Sequence, residues 1–138
     1  MVNRKSQIGK TGENIACKYL VDKAYKILYR NYWQSFGEID IIARDPDKTL
    51  VFVEVKTLSE LGQSTVDNSV DNSATLPLAE LVPEENLTVA KYKKLARVCE
   101  WFSRRFPDLI NEKKGWRIDL LALTIDKKSC QIRHYKNI

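Results

Sequence analysis

Hydrophobic residues recur at helical spacing in two segments of the chain. In residues 6–24 the apolar positions follow a period of 3.6 residues, and the other positions are polar or charged. The second segment begins at Thr88, a residue type that caps helices, and continues to about Phe106. These patterns predict two amphipathic helices, whose inner faces carry Ile8, Ile15, Ala16, Tyr19 and Leu20 in the first and Val89, Tyr92, Leu95, Ala96, Cys99 and Phe102 in the second.

Five shorter segments are rich in β-branched and aromatic residues and end in turn residues, which is typical of strands. They are residues 25–32, 39–43, 50–55, 118–124 and 130–135. Asp45-Pro46-Asp47-Lys48 has turn chemistry, so the second and third segments are expected to form a β-hairpin. The order helix, three strands, helix, two strands predicts a mixed sheet with helices packed against it, an α/β architecture rather than a barrel or a bundle.

Residues 58–86 follow neither period, and they contain an immediate duplication, Val-Asp-Asn-Ser at 66–69 and again at 70–73. Structureless segments of this length are uncommon inside small domains, where they act as functional flaps or as disordered excursions. We interpret residues 58–86 as a flexible insertion in a single domain that spans residues 1–138. A chain of 138 residues with 43% hydrophobic residues suits one hydrophobic core.

The charge and the cysteine content limit the classes of binding partner and the cellular compartment that we expect. The 23 Lys and Arg residues exceed the 18 Asp and Glu residues, which gives a net charge of +5 and favours polyanionic partners. The three cysteines, Cys17, Cys99 and Cys130, form no Cys-x-x-Cys pair, so reduced thiols in a cytoplasmic protein are expected. No segment approaches the roughly 18 apolar residues of a membrane span, so we expect neither membrane insertion nor secretion.

A group of charged residues interrupts the predicted hairpin. Side chains alternate across a strand, so in residues 50–56 the three valines share one face while Glu54 and Lys56 share the other, about 6–7 Å apart. Asp40 interrupts the apolar run of the partner strand and is expected to face the same way as Ile42. Charges in apolar strands indicate a functional site. The alternative is a structural salt bridge between Glu54 and Lys56 on a solvent-facing edge.

Two carboxylates on adjacent strands repel each other, and a divalent cation would remove the conflict. Mg²⁺ takes oxygen ligands and fills its other positions with water and substrate phosphate oxygens. We therefore expect Asp40, Glu54 and the backbone carbonyl of Val55 to hold Mg²⁺, for which Mn²⁺ could substitute. Lys56 would then lie beside a metal-bound water, where its ammonium group could orient the nucleophile or stabilise the charge of the phosphorane.

Two short motifs carry a resemblance to a known family. Gly37-Glu38-Ile39-Asp40 followed by Phe52-Val53-Glu54-Val55-Lys56 resembles the signature of the PD-(D/E)xK superfamily of metal-dependent nucleases, which share a restriction-endonuclease-like fold. More narrowly, the chain resembles a widespread bacterial, endonuclease-like family that is related to archaeal Holliday-junction resolvases. The likeness spans nearly the whole chain outside residues 58–86 and includes Gly12-Glu13, Ala16, Arg30-Asn31, Thr88, Lys91, Lys94 and Arg117-Ile118-Asp119.

The resemblance implies a three-layer core in which a mixed five-stranded sheet is flanked by helices. It also implies that Glu13 completes the metal site, although an exposed helix glutamate is the alternative. Arg30, Lys91 and Lys94 would contact nucleic acid, whereas the basic face of the second helix could also be simply solvated. Glu38 is either a surface residue or an outer metal contact. Resolvases act as dimers, so a homodimer is a possible assembly.

Some other residues receive specific expectations. Asp119 breaks an apolar strand, and Arg117 on the same face offers it a simple ionic partner. Trp33 and Tyr32 are better candidates for stacking on unpaired bases than Trp101, which lies near the inner stripe of the second helix and is expected in the core.

The sequence thus favours a Mg²⁺-dependent endonuclease that hydrolyses phosphodiester bonds in DNA and is specific for branched or damaged structures. A nucleic-acid-binding module that keeps the fold without efficient catalysis is the first alternative. The second is an adaptor protein in which the charges of the hairpin merely pair with each other. Response to a divalent metal separates the adaptor from the other two.

Overall fold

The computed structural model describes residues 4–59 and 87–138. Its elements follow the order predicted from the sequence, with two helices, five strands and one short 3-10 turn at Pro107–Leu109. They are α1 (Arg4–Asp22), β1 (Lys26–Gln34), β2 (Gly37–Arg44), β3 (Leu50–Ser59), α2 (Val89–Arg105), β4 (Trp116–Ile125) and β5 (Cys130–Tyr135). Within these ranges, no helix combines the length and the hydrophobicity that crossing a membrane requires.

Helix α2 begins and ends where the sequence predicts. The side chain of Thr88 accepts a hydrogen bond from the backbone N–H of Lys91 at 3.2 Å, which satisfies a donor that the first turn leaves open. The inner face is partly different from the predicted one. Val98 is buried although it was not expected, because it lies one helical turn beyond Leu95. Val89 is 72% exposed, since it starts the helix ahead of the turns that reach the sheet.

The five strands form one mixed sheet in the order β1-β2-β3-β4-β5. Neighbouring strands are antiparallel except for β3 and β4, which are parallel and are connected through α2. A parallel pair needs a crossover connection, and a helix is the usual solution. The mixed α/β sheet predicted from the element order is therefore confirmed, and β3 occupies its centre.

One helix covers each face of the sheet, so the protein has three layers. The α1 side packs around Ala16, Leu20, Tyr25, Ile41, Ala43, Val51, Val53, Leu121 and Leu123. The α2 side packs around Ile39, Ile42, Leu50, Phe52, Leu95, Val98, Cys99, Phe102 and Ile118. Strand β3 contributes to both cores, which explains its nearly continuous apolar sequence. Glu54 and Lys56 thus interrupt a strand that has protein on both sides.

The predicted insertion overlaps the end of β3 by two residues. Strand β3 continues through Leu58 and Ser59, because its parallel pairing with β4 runs as far as Ser59 and Ile125. Backbone hydrogen bonds to a neighbouring strand can extend a strand through residues whose side chains do not alternate between apolar and polar. The pattern of side chains does not reveal such bonds. The prediction of a flexible segment in residues 60–86 lies outside the described residues.

The assignment of Trp101 to the core is wrong, whereas the stacking role suggested for Tyr32 stays a prediction. Trp101 is 44% exposed and rests edge-on against Phe36, with ring centroids 5.9 Å apart. Tyr32 is half-buried and packs edge-on against Phe102 at 5.0 Å. The ring of Tyr32 faces α2, as does the side chain of Leu28, which packs against the same core. Trp33 is exposed, as expected.

A buried carboxylate ties the end of the sheet together. Asp119 has no exposed surface, and it accepts hydrogen bonds from Arg117 Nε at 2.9 Å and from the backbone N–H of Asn137 at 2.9 Å. His134 Nε2 lies 2.8 Å from its other oxygen. Burial alone would raise the pKa of Asp119, but the bonds from His134 and Arg117 lower it below the ordinary value. The expected ionic partner of Asp119 is confirmed, and Arg117 also pairs with Asp45.

We predict that Asp119→Asn destabilises the protein by about 3 kcal/mol at neutral pH, because it leaves the half-buried Arg117 without one of its charge partners. The folded-state pKa lies below the ordinary value of 3.8, so the stabilisation is complete above that pH and is lost as the pH falls through the lowered pKa. Urea unfolding from pH 3 to 7 measures the difference. Glu112→Gln, at an exposed position, is the control and should change stability by less than about 0.5 kcal/mol. A pH-independent difference would contradict this assignment.

Candidate active site

The ladder between β2 and β3 stops one residue before Asp40. Pairing runs from Arg44 to Ile41, and beyond it Ile39 packs on the α2 side although Ile41 packs on the α1 side. Strict alternation, which would place Asp40 on the face of Ile42, is therefore broken here. The Asp40 carboxylate instead accepts a hydrogen bond from the backbone N–H of Val55 at 2.8 Å. A side chain thus replaces a backbone partner and joins the two strands at this point.

Asp40 and Glu54 form a pair of carboxyl groups that are largely withdrawn from water. Burial raises the pKa of Asp40 well above its ordinary value, and the nearby Glu54 raises it further. Burial also raises the pKa of Glu54, against the opposing effects of Lys56 and of a hydrogen bond with Asp40. Two carboxyl groups that share a hydrogen bond need either a proton or a cation between them. The expected convergence of these two residues is present.

Lys56 completes the group on β3. Its Nζ lies 3.3 Å from Glu54 Oε1, and the two side chains are only 15% and 19% exposed. The ion pair of the structural alternative is therefore present, but it does not lie on a solvent-facing edge, because β3 is the central strand. An ion pair this far from water requires compensation for its lost hydration, which distinguishes it from ordinary surface pairs.

Helix α1 brings Glu13 to the same region. Gly12 lies so close to Thr57 of β3 that an added Cβ would overlap the threonine hydroxyl, so only glycine allows this approach. Glu13 is held by the amide of Asn31, which reaches its two carboxylate oxygens at 3.2 and 3.1 Å, and it lies 4.0 Å from Arg30. Burial raises the pKa of Glu13. Its carboxylate is therefore bonded to β1.

The third carboxylate does not converge fully with the other two. Among residues 4–59 and 87–138, no three His, Cys, Asp or Glu side chains are close enough together to hold a metal ion. Glu13 is nevertheless near enough for its charge to raise the pKa of Asp40. The structure therefore places Glu13 beside the Asp40–Glu54 pair and engages it with Asn31.

A cleft of about 220 Å³ opens onto these groups, and we call it the carboxylate cleft. Its polar lining consists of Glu13, Glu38, Asp40, Glu54, Lys56 and Thr57, and Val55 also contributes. A water molecule occupies about 30 Å³ in the liquid, so the cleft has room for a hydrated cation together with a phosphate group. Its oxygen-rich lining matches the ligands that Mg²⁺ prefers.

The predicted nucleic-acid contacts lie on different parts of the surface. Arg30, on β1, donates a hydrogen bond to Asn14 at 2.7 Å on the α1 side. Lys94 is exposed on α2, and Lys91 is half-buried in the first turn of that helix. The sheet separates α1 from α2, so the three basic residues do not form one cluster.

Asn31 was not predicted to act at the site, whereas Glu38 was expected to be either a surface residue or an outer metal contact. Asn31 has a φ of +52°, a left-handed conformation that Asn tolerates better than most residues, and this irregularity turns its amide toward Glu13. Glu38 is exposed and lines the carboxylate cleft, where its charge raises the pKa of Asp40. Before the structure, Asn31 was singled out only because Arg30-Asn31 is part of the family resemblance. A strand irregularity leaves no periodic signal in the sequence, so its role could not be predicted from the pattern of residues.

We predict that Asp40→Asn leaves the metal-free protein as stable as the wild type or raises its melting temperature by a few degrees. The amide can still accept from Val55 and can donate to Glu54, while the charge that burial disfavours is removed. Asp45→Asn is the matched control, and it should lower the melting temperature because it breaks the pair with Arg117. A large loss of stability in Asp40→Asn, measured in EDTA, would show that the carboxylate is structural.

Comparison with known proteins assigns a family. Residues 12–123, which include Glu13, Asp40, Glu54 and Lys56, match the model of "Uncharacterised protein family UPF0102". A UPF0102 protein of Caldicellulosiruptor bescii is 34% identical over 123 residues, which cover 89% of this chain and 87% of the relative. One of Desulforamulus reducens is 32% identical over 138 residues, covering 99% and 97%, and one of Thermotoga maritima is 37% identical over 116 residues, covering 83% and 84%. The chain therefore belongs to the UPF0102 family.

Proposed function

We propose that this protein is a divalent-metal-dependent endonuclease that hydrolyses phosphodiester bonds in DNA, with a preference for branched or otherwise irregular structures. The observation that carries the proposal is the Asp40–Glu54 pair, whose pKa values are raised by burial and which lies in a cleft beside Lys56. Buried charges that interrupt a core strand weaken a fold, so their presence favours a functional reason.

The donors at the site suit a hard cation. Asp40, Glu54 and the carbonyl of Val55 would hold Mg²⁺ or Mn²⁺, because all three offer oxygen. A bound ion would supply a Lewis acid for the phosphate and would lower the pKa of a coordinated water. Glu13 lines the same cleft and would add negative charge close to the ion.

The protein's own groups have definite tasks in this proposal. The N–H of Val55 fixes one oxygen of the Asp40 carboxylate at β3, and a bound cation would replace the hydrogen bond that Asp40 shares with Glu54. The Lys56 ammonium group would donate hydrogen bonds to phosphoryl oxygens as their negative charge increases. Burial of Glu54 and Lys56 strengthens these electrostatic interactions, because less water screens them.

A nucleic-acid-binding module without efficient catalysis is the second candidate. It is favoured by one observation, that Glu13 is bonded to Asn31 and does not complete a set of three carboxylates. The net charge of +5 suits this candidate equally well. Both candidates take nucleic acid as their partner, and a homodimer would suit a branched substrate that has paired cleavage points.

We predict that the wild type cleaves labelled four-way junctions or flaps in the presence of Mg²⁺ or Mn²⁺, and that Asp40→Asn and Lys56→Ala each reduce the rate by at least about 100-fold. Gel analysis of four-way junctions, flaps and linear duplexes gives the rates. Glu112→Gln is the control, because Glu112 is exposed and does not line the carboxylate cleft. This variant should cleave at the wild-type rate.

Metal binding is measured separately from cleavage. Millimolar Mg²⁺ should raise the melting temperature of the wild type by mass action and should leave that of Asp40→Asn unchanged. Equal cleavage rates for the wild type and Asp40→Asn would indicate a contaminating nuclease and would contradict the proposed nuclease activity. If the protein binds nucleic acid but cleaves none of the substrates with either metal, the binding module is favoured. If metal does not change the melting temperature and the protein does not bind nucleic acid, the adaptor protein is the remaining hypothesis.

A further inference from the structure

A second, larger cleft adjoins the carboxylate cleft. It has a volume of about 680 Å³, and we call it the side cleft. Gly9, Glu13 and Glu38 line both clefts, so the two form one continuous groove. The residues that belong to the side cleft alone are Lys10, Asn14, Arg30 and Asn31. Its volume lies in the range of pockets that enclose ligands about the size of a nucleotide.

The charge of the groove changes along its length. Carboxylates concentrate at the end with Asp40 and Glu54 and at the shared wall. The far end carries the cationic side chains of Lys10 and Arg30 and two amides. Lys10 is exposed. Arg30 is also exposed, donates a hydrogen bond to Asn14 and lies 4.0 Å from Glu13 on the shared wall. Arginine, lysine and amide side chains are the usual contacts to phosphate oxygens. The acidic end therefore suits a cation, and the far end suits a phosphate.

An exposed tryptophan stands next to this groove. Trp33 lies on β1, directly opposite Glu38 of β2 in the antiparallel ladder. Side chains of directly opposed residues lie on the same face of a sheet, about 5 Å apart at their Cβ atoms. Glu38 lines both clefts, so its cross-strand neighbour Trp33 lies beside the groove, outside the lining of either cleft.

The exposure of Trp33 is unusual for this protein. Its surface is 69% exposed, and among the residues that the structure describes it belongs to neither hydrophobic core. The other two tryptophans have aromatic neighbours, since Trp101 rests on Phe36 and Trp116 packs against Phe52 at 5.3 Å. A large, exposed aromatic side chain that does not pack in a hydrophobic core indicates a binding surface.

We propose that the side cleft and Trp33 bind an unpaired nucleotide next to the point of cleavage. Lys10 and Arg30 contact its phosphate, and the indole of Trp33 stacks on its base. Inside a continuous duplex both faces of a base are covered by neighbouring bases, so only an unpaired base can stack on a side chain in this way. The inference rests on the proposed function and names the substrate class, a nucleic acid with a single-stranded segment such as a flap, gap or open branch.

The test measures binding in EDTA, which keeps it independent of catalysis. Fluorescence anisotropy compares a labelled single-stranded oligonucleotide with a blunt duplex of the same length. Trp33→Ala should bind the single strand about 10-fold more weakly than the wild type and the duplex less than about 2-fold more weakly, whereas Trp33→Phe should keep most of the affinity. Trp101→Ala is the matched control, because it removes an exposed tryptophan on α2, and it should bind both ligands as the wild type does.

A second variant tests the phosphate contact. Lys10→Ala should weaken single-strand binding and reduce the slope of log K against log salt by about 0.7, the value for one phosphate contact to a single strand. Wild-type affinity for the single strand in Trp33→Ala, or equal losses for single strand and duplex, overturns the inference. The proposed function fails separately: if no substrate is cleaved with any metal while Trp33→Ala still loses single-strand affinity, the nucleotide site stands without the nuclease. If cleavage depends on Asp40 but binding does not depend on Trp33, the nuclease stands without this site.

Discussion

The hydrogen bond from the N–H of Val55 to the carboxylate of Asp40 is the interaction on which the rest of the site depends. It forms because the β2–β3 ladder ends at Ile41 and leaves a backbone donor of the central strand without a backbone acceptor. A buried N–H that lacks a partner destabilises a fold, so the carboxylate has a structural task as well as a chemical one. It also sets Asp40 beside Glu54, and the proposed chemistry begins from that arrangement.

The architecture could be predicted from the sequence because it depends on periodicity. The order of the elements, the hairpin of β2 and β3, and the crossover through α2 all follow from the spacing of apolar residues and from turn residues. The capping of α2 by Thr88 was visible for the same local reason. The end of β3 was placed too early, since pairing with β4 holds Leu58 and Ser59 through backbone bonds that side-chain patterns do not reveal.

The candidate site was predicted in part. The group formed by Asp40, Glu54 and Lys56 was visible because charge in an apolar strand is locally anomalous, and the family resemblance pointed to the same positions. The direction of the Asp40 side chain and the partner of Glu13 were not visible, because both depend on departures from regular strand geometry, one at Asp40 and one at the left-handed Asn31. The hydrogen-bond network around Asp119 also reaches Tyr19 of α1 through His134, so it joins β4, β5 and α1.

The close approach of Gly12 to Thr57 has a mechanical consequence. Helix α1 rests at Gly12 on the side chain of Thr57, in the strand that bears Glu54 and Lys56, and the glycine adds no side chain of its own to this contact. A displacement of that strand would therefore move Glu13 as well, and the two clefts that share Glu13 as a wall would change shape together. A strand of nucleic acid that settles in the larger hollow would thereby adjust the smaller one, so that binding at one end would set the alignment of the reacting groups at the other.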